Sequence, residues 1–338
     1  MVTVGVLLYK DEKYLAYSLT SLLDQDYVNI EFIFRDQSPD AEVYNYLKEA
    51  HPDFFEKAKI TTGENLMHSG GHNAIIREMK GEYYFCVSND MLYPRDFVSK
   101  MITAMQKAKA KVAGCKLMQW DYESMLKGDI EGSKTTKIDS LGIGITRGHH
   151  FYDIGQGMEE KEVKIPKKLL GPSAALAVYH RDALKAVSFK NKKSEIEYFD
   201  ENLHYKNDVD LDYRLSWAGF PCLIVDSVKV YHDRQVGEKG SGHLARLKAH
   251  QEKAEWAKES SLKGHLITVG KNYDTNFSPS VRFQTAMNGL LRFLHTLFLA
   301  PKMLRVYKEV HAMKKEIERR RKAIHKKVSP ATIEALMS

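Results

Sequence analysis

The chain has 338 residues, of which 43% are hydrophobic and 28% are charged, and its formal net charge is +7. This length and composition exclude a globally disordered chain and allow one large domain with an appendage, or two domains. The three cysteines, Cys86, Cys115 and Cys222, are too few and too scattered for a disulfide framework or a zinc site. All three lie in apolar runs, so buried, reduced thiols and a cytosolic location are expected.

Charge is distributed unevenly along the chain. Residues 242–338 contain 19 Lys and Arg against 8 Asp and Glu, a net of +11, whereas the remainder has a net charge of −4. An acidic remainder without a recognition module argues against a nucleic-acid-binding protein. The first ten residues lack a signal-peptide pattern, and no run of 18 apolar residues predicts a transmembrane span.

The first ninety residues alternate between apolar runs and helical patterns. Strands are predicted at residues 2–8, 30–34, 59–62 and 83–87, with helices between them at 13–23, 41–50 and 73–79. Such a βαβ series predicts an α/β fold in which helices flank a mostly parallel sheet with right-handed crossovers.

The later chain is less regular. The pattern predicts a helix at 95–107 with Pro94 at its first position, a strand at 112–119, a helix from Asn207 or Asp208 through Trp217, and a strand at 222–231. Residues 128–168, rich in Gly, Lys and Asp, are predicted to form a loop and hairpin excursion over the site. We expect a catalytic domain at 1–242 and a basic, helical extension at 243–338.

Several polar groups follow predicted strands or begin predicted helices. Asp90 follows the apolar strand 83–87, where a carboxylate can hold a divalent metal and the metal a diphosphate; the alternative is a solvated turn. Asp36 follows the second strand and can accept hydrogen bonds from a base or ribose, or cap the next helix. For Asp40 the capping role is favoured. Gly70-Gly71-His72-Asn73 opens a predicted helix, whose free N–H groups favour an anion.

The segment after residue 206 contains a second acidic group. Asp208, at the mouth of a predicted helix, is placed to act as a general base. Asp210 and Asp212 are predicted to offset the helix dipole, and Asp210 can pair with Arg214. His232 ends a strand and is either a core histidine or a metal ligand.

Together these segments resemble family 2 glycosyltransferases of the GT-A fold, in particular bacterial enzymes that add rhamnose or similar sugars to surface polysaccharides. The likeness covers roughly residues 2–243. Its motifs are Val4-Gly5-Val6-Leu7-Leu8-Tyr9-Lys10, Asp36-Gln37-Ser38-Pro39-Asp40, Gly70-Gly71-His72-Asn73, Ser88-Asn89-Asp90, Gly171-Pro172-Ser173-Ala174-Ala175, Phe199-Asp200-Glu201, Asn207-Asp208-Val209-Asp210-Leu211 and His232.

The resemblance implies a role for each matching residue. Asp90 and His232 are expected to bind Mn²⁺ or Mg²⁺, and Asp208 to act as the base. The expected donor contacts are Tyr9, Asp36, Gly70, Asn73, Asn89, Arg234 and Lys239, and the expected acceptor contacts are Gly171, Ser173 and Asn207. Ser88 replaces the first acid of the family's Asp-x-Asp, which leaves one carboxylate on the metal, and Asn207 replaces a Glu.

The implied reaction is transfer of a sugar, with inversion, from a UDP- or dTDP-sugar to the hydroxyl of a glycan or lipid-linked glycan. The alternative is a non-catalytic nucleotide-sugar-binding or scaffold protein of a glycan assembly complex. Apolar residues at 281–304, interrupted by basic ones, predict either a membrane-interface helix at the inner face of the cytoplasmic membrane or a surface that packs on the catalytic domain or on a second subunit of a homo-oligomer.

Overall fold

The structure, a computed structural model, describes residues 1–10, 12–191, 194–233 and 255–338. In this part the strands are β1 (Val2–Leu8), β2 (Ile30–Asp36), β3 (Ala58–Thr62), β4 (Tyr83–Val87), β5 (Met91–Leu92), β6 (Val112–Trp120), β7 (Lys134–Ser140), β8 (Ile143–Ile145), β9 (Phe151–Asp153), β10 (Leu176–His180), β11 (Phe189–Lys190), β12 (Ile196–Glu197) and β13 (Cys222–His232). The helices are α1 (Glu12–Leu23), α2 (Glu42–Ala50), α3 (Phe54–Lys57), α4 (Met67–Glu78), α5 (Phe97–Ala108), α6 (Tyr122–Leu126), α7 (Arg181–Ala186), α8 (Asn207–Trp217), α9 (Glu255–Asn272), α10 (Pro279–Leu299), α11 (Leu304–Ala312), α12 (Lys314–Ala323) and α13 (Pro330–Glu334).

Within the described residues, nine strands form one sheet in the order β3-β2-β1-β4-β10-β6-β13-β5, with β7 paired to β6. The first four strands are parallel, which confirms the prediction from the βαβ pattern. β10 runs antiparallel to β4, with Leu176 opposite Val87. The strand direction therefore reverses between β4 and β10. The segment that carries Asp90 leaves the sheet at the end of β4.

Helices cover both faces of the sheet, which is why its central strands are apolar throughout. Val4, Val6 and Phe85 face a core that includes residues of α1, α2 and α5. Tyr84 and Cys86, one residue to either side of Phe85, face a second core with α4, α7 and α8. The alternation of side chains along a strand thus divides β4 between the two cores.

The helix after β2 is not capped as the sequence predicts. Asp40 makes no side-chain cap, and its φ of 53° lies in the left-handed region. Instead, the side chains of Asp36 and Ser38 accept hydrogen bonds from backbone N–H groups of α2. The capping acceptors therefore come from the end of the strand.

Two other helix starts also differ from the prediction. α4 begins at Met67 and not at Asn73, so Gly70 and Gly71 lie inside the helix. Pro94 lies outside α5, which begins at Phe97. The two glycines predict a helix start, but in the structure they lie inside α4, where Gly71 packs closely against β1.

The predicted excursion, residues 128–168, is partly a piece of the main sheet. β7 pairs antiparallel with β6, and β8 and β9 form a small hairpin beyond it. The pairing of β7 brings Asp139 to the edge where β13 ends.

The C-terminal helices pack on the catalytic sheet through a buried network of ion pairs. Lys271 of α9 pairs with Asp200 and lies 2.8 Å from Asp210 on α8. Arg320 of α12 lies 2.8 Å from Asp200, and Arg214 lies 3.0 Å from Asp210 as the sequence predicts. An apolar cluster around Trp217, with residues from α10 and α13, lies beside this network. In the described ranges, no helix combines the length and the hydropathy needed to cross a bilayer.

Candidate active site

The two predicted metal ligands lie together. β13 pairs with β5, which places His232 opposite Met91 and next to Asp90. His232 Nε2 lies 3.4 Å from Asp90 Oδ2, and His232 Nδ1 lies 2.8 Å from Asp139 Oδ2. Sequence reasoning missed Asp139, because 93 residues separate it from His232 and only the pairing of β7 with β6 brings it close.

These side chains fit a divalent cation. Asp90 Oδ1 is buried and has no hydrogen-bond partner among the described residues. Burial lowers the pKa of His232, but Asp90 and Asp139 more than offset that effect and raise the pKa to about 10, so the imidazole must release a proton when it binds an ion. An outer carboxylate that orients a histidine ligand is common around protein-bound metals. Asp90 and His232 are thus suited to hold an ion, with Asp139 fixing the ring.

Asp208 is half-buried in the first turn of α8. Its Oδ1 accepts a hydrogen bond from the N–H of Val209 at 2.8 Å, and its Oδ2 from the N–H of Ala174 at 3.2 Å. Burial raises the pKa of Asp208 above its ordinary value, and the two hydrogen bonds offset only part of this effect. A carboxylate with a raised pKa is a stronger base near neutral pH.

A short series of contacts joins Asp208 to the segment that carries Asp90. The N–H of Ser88 donates to the carbonyl of Ala175 at 3.0 Å, and the adjacent Ala174 holds Asp208. Asp90 and Asp208 therefore lie at the same end of β4. Ligands of open α/β sheets bind at this end.

A cleft of about 500 Å³ opens at the carboxyl ends of β1, β2 and β3. The predicted donor contact Tyr9 forms one wall, and 42% of its surface is exposed. Residues 37–41 and 62–65 form the other walls. An exposed aromatic ring can stack on a nucleobase. Residues 62–65 were not predicted as site residues, although they directly follow a predicted strand.

Asp36 lies beneath this cleft and is buried. Its Oδ1 accepts hydrogen bonds from Ser38, and its Oδ2 accepts one from the N–H of Tyr44 at 2.8 Å. The structure therefore shows the capping role for Asp36. A contact between Asp36 and the donor base remains a prediction.

Gly70 and Asn73 do not line the cleft, and their donor contacts stay predictions. Gly70 lies inside α4, and its N–H donates to the carbonyl of Leu66. A Cβ on the adjacent Gly71 would lie 2.7 Å from Leu7, so this glycine allows α4 to approach β1. Asn73 is fully buried, and its amide bonds the backbone of residues 198–199 on both its donor and acceptor sides.

The three predicted acceptor contacts are also interior. The space beside Gly171 is filled by the carboxyl group of Asp212. Ser173 is only 9% exposed, and its hydroxyl accepts from the N–H of Ala175. Asn207 is buried and bonds His68 and Ser69. These residues support the position of Asp208, and their contact with an acceptor stays a prediction.

The remaining predicted contacts divide into two groups. Asn89 is half-buried next to Asp90 and stays a predicted donor contact. Arg234 and Lys239 lie outside the described residues. The structure adds Asp233, which directly follows His232 and accepts a hydrogen bond from the hydroxyl of Tyr14 at 2.6 Å. Its position directly after the strand-ending histidine is the signal in the sequence that could have indicated it.

Comparison with solved structures gives the same architecture. A structure of GalNAc-T7 with UDP, GalNAc and Mn²⁺ matches with a TM-score of 0.57 at 11% identity, covering 81% of this chain and 48% of that one. The chain thus spans about half the length of the GalNAc-T7 chain. At this identity the likeness concerns the fold alone.

Two further structures match over 99% of this chain. The mannosyltransferase PcManGT from Pyrobaculum calidifontis, in complex with GDP-Man and Mn²⁺, has a TM-score of 0.48 and 15% identity over 85% of its length. TarS 1-349 from S. aureus has a TM-score of 0.46 and 12% identity over 89% of its length.

The sequence comparisons identify the family. No curated protein sequence matches the chain. The model of glycosyl transferase family 2 matches residues 3–188, which is more than half of the chain. The fold is GT-A, and the chain belongs to glycosyl transferase family 2.

Proposed function

We propose that the chain transfers a sugar, with inversion, from a nucleotide diphosphate to an acceptor hydroxyl in polysaccharide synthesis. Family membership supports the reaction class. The observation that carries the proposal is the position of Asp208. This residue lies at the same end of β4 as Asp90, and burial raises its pKa. The cleft beside Tyr9 has the size and the exposed ring expected for the nucleoside of a UDP- or dTDP-sugar.

We propose that Asp90 and His232 hold the divalent metal, Mn²⁺ or Mg²⁺. The support is the buried Oδ1 of Asp90, which has no hydrogen-bond partner in the part of the chain that the structure describes, and the imidazole that Asp139 orients. Two structures with a similar outline, GalNAc-T7 and PcManGT, carry Mn²⁺. When bound, the metal supplies positive charge for the departing diphosphate. Ser88 replaces the first acid of the Asp-x-Asp motif, so the donor's phosphates are expected to complete the coordination of the metal.

The step itself needs one base. The acceptor oxygen forms a bond to the anomeric carbon as the bond from that carbon to the diphosphate breaks, and Asp208 takes the hydroxyl proton. A single displacement of this kind inverts the configuration, whereas retention through a covalent intermediate needs a nucleophile as well.

Exchange of Asp208 for Asn tests this assignment. The Asp208→Asn variant is expected to lose transfer by at least about a hundredfold, because a general base contributes that much or more, while it still binds the donor. A panel of nucleotide sugars with the natural chain first identifies the donor by binding or slow hydrolysis. Asp182→Asn, which changes an exposed carboxylate, serves as the matched control and should retain activity.

Two results would contradict the proposal. Near-normal transfer by Asp208→Asn would remove its role as the base. Donor binding without any transfer or hydrolysis by the natural chain would favour the alternative, a non-catalytic nucleotide-sugar-binding protein.

We further propose that helix α10 contacts an anionic membrane surface, as at the inner face of the cytoplasmic membrane, where a lipid-linked acceptor is available. The amphipathicity of this helix is inverted. Two of its polar side chains bond the protein, since Asn288 donates to the carbonyl of Gly148 and Thr285 to that of Arg147. The polar side chains of Arg282, Gln284 and His295 are exposed. The large apolar side chains exposed to solvent are Phe283, Met287, Leu290, Leu291, Phe293, Leu297, Phe298 and Leu299.

Charge favours a lipid surface as the occupant. Residues 279–315 contain seven Lys and Arg against one Glu. Basic residues near an anionic leaflet contribute about 1 kcal/mol each to binding. We accordingly propose residues 1–242 as the catalytic domain and 243–338 as an extension that packs on it and contacts the membrane; the boundary between them lies outside the described residues.

Flotation with vesicles tests the membrane contact. The full chain is expected to float with vesicles that contain phosphatidylglycerol and to float less with phosphatidylcholine alone. The double change Leu290→Ser and Phe298→Ser should abolish flotation without altering charge. Leu126→Ser is the control, because Leu126 is 53% exposed on a different helix, α6.

Equal flotation of the double variant and the natural chain would contradict the proposal. A change of the variant from oligomer to monomer in light scattering, without flotation of the natural chain, would instead assign the surface to a second subunit.

A further inference from the structure

Helix α4 and strand β4 bring two histidines and a cysteine into one cluster. His68 and His72 are four residues apart on α4, so they lie on the same side of the helix. His72 Nε2 lies 3.4 Å and His68 Nε2 lies 4.0 Å from Cys86 Sγ on β4. One ligand atom from each of the three residues lies within 4.8 Å of the other two.

The spacing approaches that of a tetrahedral zinc site. Zn–S bonds of about 2.3 Å and Zn–N bonds of about 2.0–2.1 Å place neighbouring ligand atoms roughly 3.3–3.6 Å apart. The contact between His72 and Cys86 already has this length, whereas the contact between His68 and Cys86 is about half an ångström longer. His72 and Cys86 are buried, whereas His68 is half-buried and gives an ion a way in.

The surroundings of His72 are those of a metal ligand. Its second ring nitrogen, Nδ1, lies 2.6 Å from the hydroxyl of Tyr84. Such a partner fixes the ring orientation and the tautomer of a ligating histidine. The hydroxyl of Tyr84 in turn occupies the space that a Cβ at Gly5 would fill.

We propose that His68, His72 and Cys86 form a binding site for a thiophilic divalent cation such as Zn²⁺, separate from the donor-metal site at Asp90. Two imidazoles and a thiolate select Zn²⁺ over Mn²⁺ or Mg²⁺, which prefer oxygen ligands. Three protein ligands leave a fourth position for water. The three scattered cysteines predict no zinc site by themselves, but helix α4 adds two histidines to Cys86.

The site is coupled to the segment that carries Asp208. His68 Nδ1 accepts a hydrogen bond from Asn207 Nδ2 at 2.8 Å, and Asn207 Oδ1 accepts one from the N–H of Asp208 at 2.9 Å. If His68 binds an ion through Nε2, its proton moves to Nδ1, which then faces the amide NH₂ group of Asn207. The amide must turn over to accept this proton, and it loses its bond with Asp208.

Metal binding at the cluster is therefore expected to inhibit sugar transfer. This second part rests on the proposed role of Asp208, whereas the metal site itself does not. An ion at Cys86 would also place positive charge near Asp208. Cys86 Sγ contacts the carbonyl of Ala174, and the N–H of Ala174 donates to Asp208.

Titration of the metal-free, reduced full chain with Co²⁺ tests the site. Cobalt bound by a thiolate gives a charge-transfer band in the near ultraviolet. We expect one such ion for each chain, displaced by Zn²⁺. Cys86→Ala should abolish the band, and His68→Ala should weaken binding by about tenfold or more. Cys115→Ala, which removes a buried cysteine of β6 outside the cluster, and Asp90→Asn should both retain the band.

An absent band in the natural chain, or a band that persists in Cys86→Ala, would overturn the proposal. Because His68 is half-buried, its variant provides a test even if Cys86→Ala does not fold. In a transfer assay with excess Mn²⁺, Zn²⁺ should inhibit the natural chain and Cys115→Ala, but not Cys86→Ala. Equal inhibition of all three would overturn the coupling alone. Loss of transfer in Asp90→Asn with an intact cobalt band would separate the two metal sites.

Discussion

Asp212 lies one helical turn after Asp208 and is fully buried. Neither of its carboxyl oxygens has a hydrogen-bond partner among the described residues. Burial, with a further contribution from the charge of Asp208, raises the pKa of Asp212 well above its ordinary value. The sequence predicts that this residue offsets the helix dipole, because its position in α8 does not show that Gly171 packs against its carboxyl group.

Asp212→Asn is expected to stabilise the protein at neutral pH. The native state holds the proton of Asp212 more tightly than the unfolded state does. The resulting stability is complete below the unfolded pKa of about 3.9 and is lost as the pH rises toward the native pKa, by up to about 1.4 kcal/mol for each pH unit. The variant lacks this loss. Urea denaturation should show a gain of more than about 1 kcal/mol at pH 7 that shrinks near pH 4.

Identical stability of the natural chain and the Asn variant at pH 7 would show that Asp212 has no raised pKa. The matched control is Asp210→Asn on the same helix, which is expected to destabilise instead, because Asp210 is paired with Arg214 and Lys271.

At the scale of an element, helix α4 connects the sheet to the segment that leads to α8. Its residue Asn73 donates to the carbonyl of Phe199 and to Glu201, and accepts from the N–H groups of Tyr198 and Phe199. One buried amide thus ties α4 to the segment that leads to α8. The same helix supplies His68 and His72, so its position sets both the proposed cation site and the approach to Asp208.

Asn73→Ala is expected to lower the free energy of unfolding by about 3 kcal/mol or more. The substitution leaves several buried backbone groups without partners, and each costs about 1–3 kcal/mol. Chemical denaturation measures this change. Asn45→Ala on α2 is the control, since its amide makes an exposed hydrogen bond and its loss should change stability by less than about 0.5 kcal/mol. A similarly small effect for Asn73→Ala would contradict its bridging role.

At the scale of the whole molecule, buried charges connect the sheet to the C-terminal helices. Lys271 is fully buried between Asp200 and Asp210, and Arg320 contacts Asp200 from a second helix. These cations hold the pKa of Asp200 below its ordinary value despite burial. A lowered native pKa means that the stabilisation is present at neutral pH and is lost as the pH falls below the ordinary range of a carboxyl group.

Lys271→Met should destabilise the protein by about 3–5 kcal/mol, because it leaves two carboxylates buried without their shared cation. Lys263→Met on the same helix is the control: its partner Glu309 is half exposed, and such pairs contribute no more than about 1 kcal/mol. Denaturation of both variants at pH 7 makes the comparison. Equal effects would show that the buried network does not hold the extension to the catalytic domain.

The sequence by itself determined the elements whose signal is local. The strands that became β1, β3 and β4, the helix that became α8 and the strand end at Asp90 follow from apolar runs and short polar segments, which need no knowledge of the rest of the chain. The match of motifs also indicated the family. The pairing of Asp90 with His232 came from the resemblance to the family, and the structure places the two side chains 3.4 Å apart.

Only the tertiary structure decided which polar groups are available to a ligand. Gly70 and Asn73 match the motif, yet packing of α4 on β1 and residues 198–201 uses their groups internally. Asp139 and Cys86 match no motif, yet each lies in a candidate site. Their partners, His232 and His72, belong to elements that are distant in the chain. Burial and hydrogen-bond saturation depend on long-range contacts, and a local residue pattern contains no information about them.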